Sequence, residues 1–130
     1  MIIKSGKYVA HHGNIQISIT MVYAGFFQRN RDIGWLNLMG NGGVWISGRG
    51  GLFRIDLAPG QTVYVDEEHI VGFSQGIHYD IKLFSDVYGK TKGFFDLVKK
   101  ATKALATAHL SKEGIIFKFT GPGYIIIQTR

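Results

Sequence analysis

The stretch Ile15-Gln16-Ile17-Ser18-Ile19-Thr20 indicates the fold class, because every second residue in it is apolar. Side chains of a β-strand point alternately to the two faces of its sheet, so this alternation is typical of a strand with one buried face. Turn signals recur roughly every 8–12 residues, which favours antiparallel sheets over alternating strands and helices. Further alternating runs lie at residues 53–57, 62–66, 77–84, 115–120 and 124–129.

Glycines and prolines mark the turns between these runs. In Ala58-Pro59-Gly60-Gln61, proline presets φ and glycine accepts a positive φ, which predicts a β-turn. Two Gly-x-Gly segments could hold an anion on their backbone N–H groups, but a phosphate loop needs a helix after the glycines. Strands are expected on both sides here, so both segments are interpreted as hairpins. The predicted structural turns are Gly40, Gly42, Pro59, Gly60, Gly121, Pro122 and Gly123.

One segment follows a different period. Between residues 92 and about 109, apolar residues recur at spacings of three and four, with Lys99, Lys100 and Lys103 on the opposite side. This spacing predicts an amphipathic α-helix. Residues 86–112 hold six lysines and two acids, so +4 of the net charge of +6 belongs to this segment. The rest of the chain is close to neutral.

Two gap-free offsets indicate an internal repeat. Residues 3–20 match 65–82 at an offset of 62, and 36–47 match 117–128 at an offset of 81. Apolar positions coincide in both comparisons, and the two Gly-x-Gly segments fall on each other. Because the offsets differ by 19 residues, the second repeat carries an insertion, and the predicted helix lies in it.

The predicted fold is therefore mainly β, an antiparallel β-sandwich of two repeated units with one amphipathic α-helix inserted in the second. A length of 130 residues with 45% hydrophobic residues suits one domain, 1–130. The repeats span about 3–47 and about 65–128, and the helical insertion about 86–112.

Composition excludes several classes of site. The chain contains no cysteine, so it has no disulfide, no thiolate metal site and no cysteine nucleophile. No apolar run approaches the roughly 18 residues that a transmembrane helix needs. The sequence also shows no signal or transit peptide, so our expectation is the cytoplasm of a bacterium or archaeon.

The histidines do not form a predicted metal site. His11 and His12 are adjacent and would point to opposite faces of a strand. His69 and His78 have no histidine at the matching repeat positions. No Ser-His-Asp or paired-carboxylate pattern emerges either, so we expect no enzyme activity, no cofactor and no small-molecule substrate.

Basic residues give the remaining candidate sites. The helix could pack on the sandwich or on another subunit, lie on an anionic membrane, or supply lysines to a nucleic-acid backbone. Phe26-Phe27 before two arginines could stack bases or line an interface, or form an ordinary hairpin tip. Gly48-Arg49-Gly50-Gly51 is a predicted turn whose arginine could contact an anion. The candidate contacts to nucleic acid or membrane are Lys92, Lys99, Lys100, Lys103, Arg29 and Arg31.

Several motifs resemble the mitochondrial-biogenesis family named for altered inheritance of mitochondria (member twenty-four). They are Ser5–Ala10, Gly42–Gly51, Ile55–Gly60, Ile70–Phe73 and Phe119–Arg130. The resemblance implies a β-sandwich similar to the tryptophan RNA-binding attenuator protein, usually assembled into homo-oligomers, with no established catalytic residues. Family members commonly carry a further β-segment upstream and a shorter connection near residues 91–111. The chain is thus expected to be a short form or a fragment.

Two functions follow as hypotheses. The first is a non-enzymatic structural or assembly module that forms a symmetric homo-oligomer through strand edges and apolar faces. The second is a module that binds nucleic acid or an anionic membrane through the lysine-rich helix.

Charge reversal at Lys99 and Lys100 tests the second hypothesis. If these lysines contact phosphates, the variant should bind RNA or anionic liposomes more weakly, because each lost contact reduces the number of counterions released on binding. Liposome flotation and RNA titration at several salt concentrations separate the two ligands. Unchanged binding of both would exclude this function.

Overall fold

The computed structural model describes residues 1–20, 22, 34–83 and 115–130. Within these ranges the chain is mainly β, as predicted, with antiparallel pairing throughout. The strands are β1 (Ile2–Lys4), β2 (Tyr8–Thr20), β3 (Trp35–Ile46), β4 (Leu52–Leu57), β5 (Thr62–Asp66), β6 (Ile70–Phe73), β7 (His78–Leu83), β8 (Ile115–Thr120) and β9 (Gly123–Gln128). Single 3-10 turns occupy Ser5–Lys7 and Glu67–His69. The predicted helical insertion at about 86–112 lies outside the described residues.

The described strands form two sheets. The larger sheet has the order β2-β3-β1-β6-β9-β4, and the smaller has the order β5-β8-β7. Between β4 and β5, Pro59 and Gly60 form a turn in which the Gln61 N–H donates to the Ala58 carbonyl at 3.0 Å. Gly60 has φ +78°, the conformation for which glycine is preferred at such a turn.

Strands β2 and β3 pair along almost their whole length, and we call this pair the β2–β3 ribbon. Ile15 lies opposite Gly40, and Gly13 lies opposite Gly42. The predicted hairpin at Gly40 and Gly42 is therefore wrong, because both glycines lie inside β3. Gly40 has φ +122°, and its missing side chain leaves room for the Asn14 carbonyl of β2. The local Gly-x-Gly pattern reflects close approach of two strands rather than reversal of the chain.

The second Gly-x-Gly segment does not form a hairpin either. Gly121 and Pro122 follow β8, which pairs with β5 and β7 in the smaller sheet. Gly123 begins β9, which pairs with β4 and β6 in the larger sheet. The segment thus carries the chain from one sheet to the other, and the strands on its two sides are not paired.

Both sheets contribute to one hydrophobic core. The ring of Trp35 on β3 lies 6.3 Å from that of Phe117 on β8, and Phe73 on β6 lies 5.2 Å from Phe119 on β8. Aromatic pairs at these distances attract each other beyond simple burial of area. The buried residues of this core are Val22, Trp35, Leu57, Val65, Ile70, Phe73, Ile77, Phe117, Phe119 and Ile125.

The two sequence offsets relate elements of the structure. A shift of 62 residues carries the turn Ser5–Lys7 onto the turn Glu67–His69. A shift of 81 residues carries β3 onto residues 116–127, which contain most of β8 and β9. The elements from β1 to β3, which we call the first half, therefore have counterparts from β5 to β9, the second half. They differ in that β3 is continuous, whereas β8 and β9 lie in different sheets.

Candidate assembly surface

One face of the β2–β3 ribbon is apolar and incompletely covered. Ile15, Ile17 and Ile19 of β2 lie opposite Gly40, Leu38 and Leu36 of β3, so their side chains share a face. Ile19 is 84% exposed and Ile17 is 39% exposed, whereas Leu38 is buried. Together with Val44 and Ile46, which have the same parity on β3, these residues form what we call the ribbon face. Its members are Ile15, Ile17, Ile19, Leu36, Leu38, Val44 and Ile46.

The matching positions of the second half form the core. The offset of 81 carries Leu36, Leu38 and Val44 onto Phe117, Phe119 and Ile125, each of which is 0% exposed. The offset of 62 carries Ile15 onto Ile77, which is also buried. The same apolar pattern is thus covered in the second half and partly open in the first.

Part of one edge of β3 has no partner among the described strands. Leu38 accepts from the Met1 amino group at 2.9 Å and donates to the Met1 carbonyl at 2.8 Å, whereas the Ser47 N–H donates to Lys7 at the β2 side. Because backbone groups alternate in direction along a strand, residues of the same parity as Leu38 point away from β2. β1 pairs only with the beginning of β3. The backbone groups left open are those of Gly40, Gly42, Val44 and Ile46, and we call them the open edge of β3.

The open edge borders a cleft of about 420 Å³. One wall is the ribbon face, with Ile15, Leu38 and Val44, and the other carries Arg54, Tyr124 and Ile126 from β4 and β9. The Arg54 guanidinium lies 4.1 Å from the centre of the Tyr124 ring and 2.7 Å from an Asp56 carboxylate oxygen. Its charge is therefore compensated within the chain, and the cleft offers apolar side chains together with polar groups and strand backbone.

The opposite face of the ribbon also exposes large side chains. Trp45 is 55% exposed and Met39 is 52% exposed. The Trp45 ring packs at 5.2 Å from the His12 ring. The Tyr8 hydroxyl lies 2.7 Å from Nδ1 of His11, but both residues are on the side of the ribbon face, because they lie opposite Ile46 and Val44. The ribbon face therefore ends in these two polar side chains.

A polar network holds the two 3-10 turns beside the end of β9. The buried Gln128 accepts from the Lys7 ammonium at 2.7 Å and donates to the Glu68 carbonyl at 2.9 Å. Lys4 forms an ion pair with Glu67 at 2.6 Å. Burial, together with the positive charges of Arg49 and Lys4, lowers the pKa of Lys7. Gln128 accepts a hydrogen bond from this half-buried ammonium, so a structural role, holding the two turns beside β9, accounts for the network.

The histidines take separate positions. Nδ1 of His69 lies 2.9 Å from the Gln128 carbonyl, and Nε2 of His78 lies 3.7 Å from Asp80. Across residues 1–20, 22, 34–83 and 115–130, no three His, Asp or Glu side chains lie close enough to hold a metal ion. The same part of the chain contains no helix of the length and apolarity needed to cross a membrane.

The basic residues predicted as contacts lie outside the described residues. These residues are Lys92, Lys99, Lys100, Lys103, Arg29 and Arg31. The structure instead reveals the ribbon face with the open edge. Assembly through strand edges and apolar faces was predicted, but not the strands that provide them. A signal for this surface was present, because the two sequence segments that match carry the same apolar pattern, but the pattern does not say which segment is left exposed.

Comparison with known proteins agrees with this fold. The crystal structure of a protein from Streptococcus pyogenes matches with a TM-score of 0.64 and 23% sequence identity. The match covers 99% of this chain but 49% of that one, so the chain spans about half the length of this relative. No curated protein matches the chain. The family model for mitochondrial biogenesis AIM24 matches residues 1–130, and the chain therefore belongs to the AIM24 family.

Proposed function

We propose that the chain is a non-enzymatic assembly module that forms a homo-oligomer. The observation that carries this proposal is the incomplete covering of the ribbon face, whose counterpart in the second half is the core. A folded chain that leaves such a face open gains free energy by burying it against another protein surface. The non-enzymatic part rests on the sequence, which offers no arrangement of catalytic side chains.

The exposed groups are large enough to support association. Burying an isoleucine or similar side chain stabilises by about 1.5–3 kcal/mol. Ile17 and Ile19 of the ribbon face are 39% and 84% exposed. In a symmetric contact each copy contributes both side chains, and burying the four of them reaches the lower estimates of the cost of association, about 4 kcal/mol.

The finer architecture belongs to the same proposal. We infer that the two sheets pack as a β-sandwich of two repeated units, similar to the fold of the tryptophan RNA-binding attenuator protein. The shared core and the matching 3-10 turns support this arrangement. In such an arrangement the first half exposes to a partner the apolar positions whose counterparts in the second half are buried in the core.

Sedimentation of a charged variant tests the proposal. We expect the wild-type chain to sediment as an oligomer at micromolar concentration. Ile17→Glu combined with Ile19→Glu should shift it to a monomer, because two carboxylates cannot be buried in an apolar interface without partners.

Gln16→Glu is the matched control for this experiment. Gln16 is exposed on the same strand but on the opposite face of the ribbon, so this variant adds a charge without altering the ribbon face. It should sediment like the wild type. A wild-type chain that sediments as a single monomeric species at micromolar concentration would overturn the proposed function.

A further inference from the structure

We propose that a second copy of the chain adds its strand β4 to the open edge of β3. This inference rests on the proposed function and specifies how two copies meet. The ribbon of one copy and β4 of the other would then belong to a continuous antiparallel sheet, and apolar side chains beside the added strand would enter the cleft.

The open edge offers the hydrogen bonds for such an addition. Gly40, Gly42, Val44 and Ile46 direct backbone N–H and C=O groups away from β2. An edge of this kind is a template for another strand, and natural proteins generally cover it or interrupt it. Neither charge nor proline interrupts it here, since β3 contains no Lys, Arg, Asp, Glu or Pro.

The second half shows what covers the matching edge. The offset of 81 carries the four open-edge residues onto Gly121, Gly123, Ile125 and Ile127. Of these, Gly123, Ile125 and Ile127 lie opposite Leu57, Ile55 and Phe53 of β4. The edge that is open on β3 is therefore occupied by β4 on β9.

Strand β4 is itself available for a second pairing. It stands at the end of the larger sheet, so its outer edge is free among the described strands. Its side chains Leu52 and Phe53 are 40% and 54% exposed. Arg54 and Asp56 neutralise each other, so insertion of β4 brings no uncompensated charge into the contact.

Geometry within one copy favours a reciprocal contact. The cleft has the β2–β3 ribbon on one side and residues of β4 and β9 on the other. A two-fold axis would place β4 of each copy against β3 of its partner, so the same patch serves both copies.

Site-directed cross-linking tests which strands meet. The chain has no cysteine, so each introduced thiol is unique. Asn41→Cys on β3 and Asp56→Cys on β4, the latter combined with Arg54→Gln so that no unpaired charge remains on β4, would be mixed in equal amounts and treated with a short bismaleimide. Both positions are exposed, so the substitutions leave the core intact. Cross-linked peptides would then be identified by mass spectrometry.

We expect the peptide pair joining positions 41 and 56 to dominate. Dominance of the pair joining 41 to 41 would show that β3 pairs with β3, and would overturn the inference. A sample that sediments as an oligomer but gives no cross-link at 41 would overturn it as well, while leaving the proposed function intact. A monomeric sample would overturn both.

Removal of one edge N–H gives an independent test. Val44→Pro deletes an N–H on the open edge, whereas Val44→Ala shortens the side chain and keeps that N–H. We expect the proline variant to associate at least about tenfold more weakly than the alanine variant, since it loses an interstrand hydrogen bond and the added strand meets the proline ring. Circular dichroism would verify that both variants are folded, and equal association of the two would contradict the inference.

Discussion

Replacement of Phe119 by alanine should lower the free energy of unfolding by about 3–5 kcal/mol, which would make it one of the most damaging single truncations in the chain. The Phe119 side chain is fully buried. Its ring lies 5.2 Å from Phe73 of the larger sheet and 5.7 Å from Phe117 of its own strand. Truncation therefore removes both the transferred area and the contacts that join the two sheets, and it leaves a cavity that neighbouring strands cannot fill.

Phe53→Ala is the matched control, because Phe53 has the same side chain and is 54% exposed. This variant should lower the free energy of unfolding of the monomer by less than about 1 kcal/mol. Urea denaturation at several protein concentrations would separate this cost from association, which adds a concentration-dependent term. Similar losses for both variants would show that the described sheets do not share the core assigned to them.

The strands were predictable because alternation is a local signal. Each residue of Ile15–Thr20 contributes to it independently, and the pattern survives wherever the strand lies in the sheet. The turn around Pro59 and Gly60 was predictable for the same reason, since the preferences of proline and glycine concern only their own backbone. These features depend on a few neighbouring residues.

The Gly-x-Gly segments could not be interpreted in the same way. Glycine tolerates a turn, a close approach of two strands or a change of sheet, and the choice depends on what lies opposite. Gly40 lies opposite Ile15, which is 25 residues earlier in the chain. Gly121 lies between strands that pair with β5 and β7 on one side and with β4 and β6 on the other. Such partners are set by tertiary structure, which the local pattern does not contain.

The candidate surface could not be predicted from the sequence for a related reason. Residues of the ribbon face and their core counterparts have the same apolar character, so sequence alone assigns both to a buried face. Val44 and Ile125 occupy matching positions, yet only Ile125 is fully buried. Ile125 packs in the core shared by the two sheets and has β4 and β6 on its two sides, whereas Val44 has β2 on one side and no described strand on the other. Burial is thus a property of the neighbouring strand rather than of the residue.

Gly40→Ala should lower the free energy of unfolding by at least about 2 kcal/mol, from two separate causes. At φ +122° an alanine is held in a backbone region that L-residues rarely adopt. A Cβ on Gly40 would also overlap the Asn14 carbonyl oxygen of β2. Because that oxygen belongs to the backbone, relief requires the two strands of the ribbon to move apart.

Two other glycines separate these causes. Gly60 also has a positive φ, +78°, but a Cβ there would meet nothing within 4 Å, so Gly60→Ala should cost only about 1–2 kcal/mol of backbone strain. Gly6 has neither a positive φ nor a close neighbour, so Gly6→Ala should change stability by less than about 1 kcal/mol.

Urea denaturation of the three variants would give this order, and sedimentation should show that Gly40→Ala also weakens association. The two effects are linked at Gly40. A side chain there would displace the Asn14 carbonyl of β2, and the N–H and C=O of Gly40 itself belong to the open edge. If Gly40→Ala destabilises no more than Gly60→Ala, then β2 does not lie against β3 at this position. The register of the ribbon would then be wrong, and with it the assignment of the backbone groups that a second copy is expected to bind.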